Sequence, residues 1–163
     1  MKYITNKLFS VKFYGDIKYD DFSIRKLTYQ SRPGIHVTAL LYIPDGEGPF
    51  PGVIHMHGHT SIGKLGERIQ QTSLSLVKNG YVVLAVDAFG VYERACKCHE
   101  EEYHGGFLGG SIFNIGEPLI GEQVVDNMRG VDLLRSLPFV ISDKIGAAGA
   151  SGGGNQTMWL AAL

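Results

Sequence analysis

A serine flanked by small residues lies near the C-terminal end of the sequence. It belongs to Gly149-Ala150-Ser151-Gly152-Gly153, a G-x-S-x-G pattern. A serine that attacks a carbonyl carbon sits on a strained turn between a strand and a helix, so the residues two before and two after it must be small. The pattern therefore predicts Ser151 as a nucleophile, with the N–H of Gly152 facing the developing oxyanion.

Two other interpretations of this turn remain open. A glycine-rich turn at a helix N-terminus can bind phosphate, and a serine there can simply cap the helix. A Walker loop would need Gly-Lys-Ser/Thr, which the sequence lacks, and a dinucleotide fingerprint normally opens a nucleotide-binding unit. The strand–turn–helix context of Ser151 favours the nucleophile.

A second segment with chemical potential is His55-Met56-His57-Gly58-His59. Gly58 allows the backbone to turn, so that the amide of His59 can point at the serine as the second oxyanion donor. The ring of His57 or His59 could also act as the base. In that case a ring nitrogen must lie about 2.6–3.2 Å from Ser151 Oγ, and a carboxylate should orient the other nitrogen.

A metal site is the competing interpretation of the same histidines. Imidazole and thiolate groups are the donors that zinc prefers. They are present in two groups, His55/His57/His59 and Cys96/Cys98/His99 with His104 nearby. The metallohydrolase motif H-x-H-x-D-H is not completed, because Ser61-Ile62-Gly63 follow the first group. We therefore expect no cofactor and keep a metal-dependent hydrolase as the alternative.

The order of predicted elements places both segments at the ends of strands. An opening hairpin is followed by strand, helix, strand, long loop, helix, strand and helix, which predicts an α/β fold with a mostly parallel sheet and helices on both faces. The predicted hairpin strands are Phe22–Tyr29 and Ile35–Ile43; the later strands are 52–58, 81–87 and 144–150; the helices are 67–78, 118–137 and 152–163; the long loop is Ala88–Glu117.

Composition excludes several classes of protein. The 163 residues fit one domain, and 44% hydrophobic with 19% charged residues is typical of a soluble globular protein. A net charge of −1 gives no indication of nucleic acid or anionic membrane as a partner. No apolar run approaches the roughly 18 residues of a membrane helix, and the N-terminus has no signal-peptide core. We expect a cytoplasmic protein.

The chain resembles the N-terminal part of an α/β-hydrolase, in particular the acetylxylan-esterase-like or dienelactone-hydrolase-like branch. The matching segments are the hairpin, His57-Gly58-His59, Val86–Gly90 and Gly149–Thr157. The resemblance implies a serine hydrolase that acts on an acetyl ester of a carbohydrate, or on another small ester, through an acyl-enzyme. It also implies Gly152 and His59 as the oxyanion donors.

The rest of the catalytic triad is not visible in this sequence. In this superfamily an acidic residue and then a histidine follow the nucleophile, whereas no Asp, Glu or His follows Ser151. We therefore expect residues 1–163 to be a single, truncated α/β-hydrolase domain that is nearly inert by itself. The open edge of its last strand predicts self-association, and a non-catalytic assembly module is the further alternative.

Overall fold

A computed structural model describes residues 10–95 and 106–163 of the chain. The described residues form six strands, four α-helices and two 3-10 turns. In chain order these are β1 (Lys12–Lys18), β2 (Phe22–Arg32), β3 (Ile35–Pro44), β4 (Phe50–Met56), a 3-10 turn (Gly63–Leu65), α1 (Glu67–Lys78), β5 (Val82–Val86), a 3-10 turn (Tyr92–Arg94), α2 (Phe107–Phe113), α3 (Leu119–Ser136), β6 (Val140–Gly149) and α4 (Gly152–Ala162).

The described strands form one mixed sheet in the order β1-β2-β3-β5-β4-β6. The predicted hairpin is confirmed, since β2 and β3 pair antiparallel across the turn at Pro33-Gly34. β3 also runs antiparallel to β5, whereas β4 pairs parallel with both β5 and β6. The expected parallel arrangement therefore holds only for β4, β5 and β6, because the hairpin contributes antiparallel strands to the same sheet.

Helices cover both faces of the sheet, as predicted. Residues of β3 alternate between the faces: Val37 and Leu41 pack in the core that includes Leu134 of α3, and Tyr42 packs in the core that includes Val77 of α1. All five residues of β5 are buried, as expected for a strand covered on both sides. The α/β architecture is thus built from two apolar cores, one on each face of the sheet.

Three features differ from the sequence-based expectation. Every residue of β1 is exposed, so this edge strand lacks the apolar alternation that would have predicted it. β6 begins at Val140, four residues before the predicted start at Lys144, and the buried Val140 pairs with Phe50 of β4. The predicted long loop includes the 3-10 turn at Tyr92–Arg94 and the short helix α2.

The last strand lies at an edge, as expected. Within residues 10–95 and 106–163, β6 pairs with β4 and with no other strand. Self-association through this edge remains a prediction. None of the helices in the described part of the chain is both long and apolar enough to cross a membrane.

Candidate active site

The site lies at the edge of the sheet where the three parallel strands end. In the register of the sheet, Met56 at the end of β4 is opposite Val86 of β5 on one side and Gly149 of β6 on the other. Carboxyl ends of neighbouring parallel strands form the usual ligand-binding edge of an α/β sheet. The segments that follow these strands, including the His-Gly turn and the serine turn, are therefore brought together there.

Ser151 occupies a strained turn between β6 and α4. Its backbone has φ +56° and ψ −123°, and a positive φ is uncommon for a residue other than glycine. Such a conformation costs about 1–3 kcal/mol and is concentrated at functional sites. Ser151 is exposed and its side chain makes no capping hydrogen bond to α4, so the helix-cap interpretation is wrong.

Glycine is required on both sides of the serine. A Cβ at Gly149 would lie 2.4 Å from the carbonyl oxygen of Gly153, and a Cβ at Gly153 would lie 2.2 Å from the carbonyl oxygen of Met56. Both distances are far below the 3.0 Å that Cβ atoms keep from other heavy atoms. The small residues of the pattern therefore allow α4 to pack directly on the ends of β6 and β4, as the sequence predicted.

The His-Gly turn packs against the serine turn. A Cβ at Gly58 would lie 2.6 Å from the carbonyl oxygen of Ala150 and 3.1 Å from Cβ of Ser151. Gly152 is the first residue of α4, where N–H groups have no acceptor within the helix. The structure thus brings the three predicted residues Ser151, Gly152 and His59 into one place.

The ring of His59 also reaches the serine. Its Nδ1 lies 3.1 Å from Ser151 Oγ, although the two residues are 92 positions apart. Both residues are exposed. The distance condition for a histidine base is therefore met by His59, for which the sequence had favoured a role through the backbone amide.

His57 has a different part in the site, because both of its ring nitrogens bind backbone groups. Nδ1 lies 2.7 Å from the carbonyl oxygen of Gly58, which can only accept, and the N–H of Ala88 donates to Nε2 at 3.0 Å. Nδ1 therefore carries the proton. Burial lowers the pKa of His57, so the ring stays neutral, and it holds the His-Gly turn to the segment after β5.

His55 is buried in the core beneath this turn. Its Nδ1 lies 3.0 Å from Ser73 Oγ, and burial, assisted by the nearby His57, lowers its pKa to about 4. Residues 10–95 and 106–163 contain no group of three or more His, Cys, Asp or Glu side chains that could hold a metal ion. The metal interpretation of the three histidines thus finds no support there, and the second proposed group (Cys96, Cys98, His99 and His104) lies outside the described residues.

Asp87 binds the segments around the site, a role that the sequence analysis did not predict. Its Oδ2 accepts from Thr38 Oγ1 at 2.6 Å, and its Oδ1 accepts from the N–H of Lys64 at 2.8 Å. The ammonium of Lys64 forms ion pairs with both Asp87 and Glu93. These contacts hold the 3-10 turn that follows the His-Gly turn. The sequence signal that could have identified Asp87 is its position directly after the fully apolar strand β5.

Helix α4 is joined to α3 by a buried amide pair. Asn127 Nδ2 donates to Gln156 Oε1 at 2.8 Å, and both side chains are buried. Nearby on α3, Asp126 forms a buried ion pair with Arg94 at 2.7 Å, which ties down the segment after β5. The amide pair thus fixes α4 relative to α3, and the ion pair fixes α3 relative to the segment after β5.

Several known proteins are similar to this chain in sequence or in fold. The profile of the family described as acetyl xylan esterase (AXE1) matches residues 9–163. YtaP of Bacillus subtilis (strain 168), a protein named as a hydrolase, is 30% identical over 127 residues, which are 72% of this chain and 40% of YtaP. The chain therefore spans well under half of the length of that relative.

Two solved structures share the fold. Methylesterase BT1017 superposes with a TM-score of 0.74 at 24% identity, over 94% of this chain and 32% of its own. The acetyl xylan esterase from Paenibacillus sp. R4 superposes with a TM-score of 0.70 at 22% identity, over 93% of this chain and 48% of its own. Together with the match over residues 9–163, they place the fold among α/β-hydrolase-type esterases. The chain belongs to the acetyl xylan esterase family.

Proposed function

We propose that this chain carries the nucleophile and the oxyanion donors of a carboxylic ester hydrolase. Ser151 is the nucleophile, and the N–H groups of Gly152 and His59 bind the oxyanion. The observation that supports this assignment most directly is the backbone of Ser151, with φ +56° at an exposed strand-to-helix turn and no capping bond from its hydroxyl. Strain of this kind persists only where the surrounding structure enforces it.

The proposed reaction proceeds through an acyl-enzyme. A base takes the proton of Ser151 Oγ as that oxygen attacks the acyl carbon, and it later delivers the proton to the departing alcohol oxygen. The carbonyl oxygen becomes an oxyanion that the two amides stabilise. The tetrahedral intermediate then expels the alcohol and leaves an acyl-serine, which water hydrolyses. Loss of one oxyanion donor typically lowers kcat by about 10²–10³-fold, so the tight packing of Gly58 on Ala150 matters for the rate.

The substrate class we propose is an acetyl ester of a carbohydrate or another small ester. The family match over residues 9–163 supports the acetyl group. The exposure of Ser151 and His59 is compatible with an alcohol portion that extends into solvent.

Covalent labelling tests this proposal. The chain is treated with a fluorophosphonate at pH 7 and pH 9, and the modified residue is located by intact mass and peptide mapping. Because no histidine follows Ser151 in this sequence, we expect slow formation of one adduct, on Ser151, faster at pH 9 than at pH 7. The control variant S142A, which removes an exposed serine of β6 far along the strand from the turn, should behave like the native chain. The variant S151A should take up none.

Two results would overturn the proposal. One is an adduct on another residue while Ser151 remains unmodified. The other is the absence of any adduct at either pH, which would favour the non-catalytic assembly module, because an elbow with its oxyanion donors keeps some reactivity even without a base.

A further inference from the structure

We propose that a groove on the β1–β3 side of the sheet binds a sugar residue of a carbohydrate chain, at a distance from the ester that Ser151 attacks. The inference rests on the proposed function, because it concerns the alcohol portion of the same substrate. The groove has a volume of about 410 Å³, within the range of about 300–1,000 Å³ that is usual for small-molecule sites. It is lined by residues of β1, β2 and β3, by the 3-10 turn Gly63–Leu65 and by Glu93.

The edge strand β1 supplies the aromatic wall of this groove. All seven residues of β1 are exposed, so the strand adds no buried side chain to the two apolar cores. A bulge between Phe13 and Asp16 inserts one extra residue, and Gly15 within it has φ +116°, a conformation that favours glycine. Bulges of this kind re-aim a neighbouring side chain. Tyr14 lines the groove with 59% of its surface exposed and its hydroxyl 3.3 Å from Thr28 Oγ1, so its ring is accessible for stacking.

A row of polar side chains runs from Tyr14 towards the active site. Thr28 of β2 is opposite Thr38 of β3, and Thr38 Oγ1 donates to Asp87 Oδ2 at 2.6 Å. Asp87 directly follows β5, at the edge of the sheet where the serine turn also lies. From β3 to β6 there are three strand spacings of about 4.8 Å, which gives about 14 Å. A single sugar residue cannot span this separation, so one chain of several residues would occupy both sites.

The chemistry of the groove matches a neutral sugar. Leu65 and the ring of Tyr14 provide apolar surface for the C–H face of a pyranose, and two threonine hydroxyls provide hydrogen-bonding groups. The rim carries one exposed cation, Lys26, and one exposed carboxylate, Glu93. The buried ammonium of Lys64 is already paired with two carboxylates. The charges therefore favour neither an anion nor a cation, and the polar groups make a fatty chain a poor match.

Binding of xylohexaose tests the groove without requiring any reaction. This unacetylated probe is chosen because the family match is to acetyl xylan esterases. The chain is titrated with it, and the backbone amide resonances are followed by NMR. We expect saturable shifts at Thr28, Thr38 and Lys64, with the same affinity in S151A as in the native chain, because the groove is separate from the serine hydroxyl.

Variants of Tyr14 identify the ring as the binding surface. Y14A loses the stacking face and should bind about 3- to 10-fold more weakly, and it keeps the fold because β1 buries no residue. Y14F keeps the ring and should bind with nearly native affinity. The control Y81A removes an exposed tyrosine that precedes β5, at the opposite end of that strand from Asp87, and should bind like the native chain.

Three results would overturn the inference. One is the absence of saturable shifts in the native chain, and another is a set of shifts confined to the serine turn. The third is native affinity in Y14A, with circular dichroism showing that the variant is folded. In each of these cases an adduct on Ser151 in the same preparation would leave the proposed function intact.

Discussion

Two adjacent glycines at the start of α4 should respond to alanine in opposite ways. A Cβ at Gly153 would lie 2.2 Å from the carbonyl oxygen of Met56 and 2.8 Å from that of His57. A Cβ at Gly154 would lie 3.6 Å from the carbonyl oxygen of Gly149, which is an ordinary contact. Both residues are helical, so the intrinsic gain from alanine is similar for both.

These distances determine how much each substitution changes the free energy of unfolding. To accommodate G153A, the backbone of α4 must move about 1 Å away from the end of β4, because the three atoms nearest to the added Cβ all belong to the main chain. Overpacking of this kind costs about 3 kcal/mol, and the helix propensity of alanine offsets about 1 kcal/mol of it. We expect G153A to lower the free energy of unfolding by about 2 kcal/mol and G154A to raise it by up to about 1 kcal/mol.

Urea unfolding of the two variants, followed by circular dichroism, measures this difference. The midpoints should differ in opposite directions from that of the native chain, with similar dependence on urea concentration. The label at Ser151 should persist in G154A and weaken in G153A, because the turn moves with the helix. Equal midpoints for G153A and G154A would refute the close packing of α4 on β4 that underlies the description of the site.

Two further predictions concern strain and pH. Glycine tolerates φ +56° and alanine does not, so S151G should be more stable than S151A by about 1 kcal/mol in urea unfolding. Both variants lack the hydroxyl, so the difference reports the backbone alone. Equal stability of the two variants would contradict the strained turn. Burial lowers the pKa of His55 to about 4 in the folded state, so the unfolded chain binds more protons between pH 4 and 6.5 and the free energy of unfolding falls as the pH decreases through this range. At full effect the loss amounts to about 3 kcal/mol. The variant H55Q keeps a polar partner for Ser73 and should lose this part of the pH dependence of the free energy of unfolding, measured by urea unfolding at pH 4.5 and 7. An unchanged pH dependence would show that His55 is not buried in its neutral form.

Several features of the fold and site followed from the sequence alone. The hairpin, the buried strand β5 and the helices α1 and α3 carry local periodicity and turn residues, which depend only on neighbours along the chain. The spacing of glycines around Ser151 was also a local signal, since a tight turn excludes side chains at fixed offsets. The strand β1 was missed because its burial pattern carries no such periodicity.

Tertiary packing decided what the individual histidines do. The sequence grouped His55, His57 and His59 as possible metal ligands and singled out His59 for its amide. Tertiary packing placed His55 in the core, the ring of His57 against backbone groups and the ring of His59 beside Ser151. The support from Asp87 likewise depends on residues up to 49 positions away. Roles of this kind arise from distances between segments remote in sequence, and local propensity carries no information about those distances.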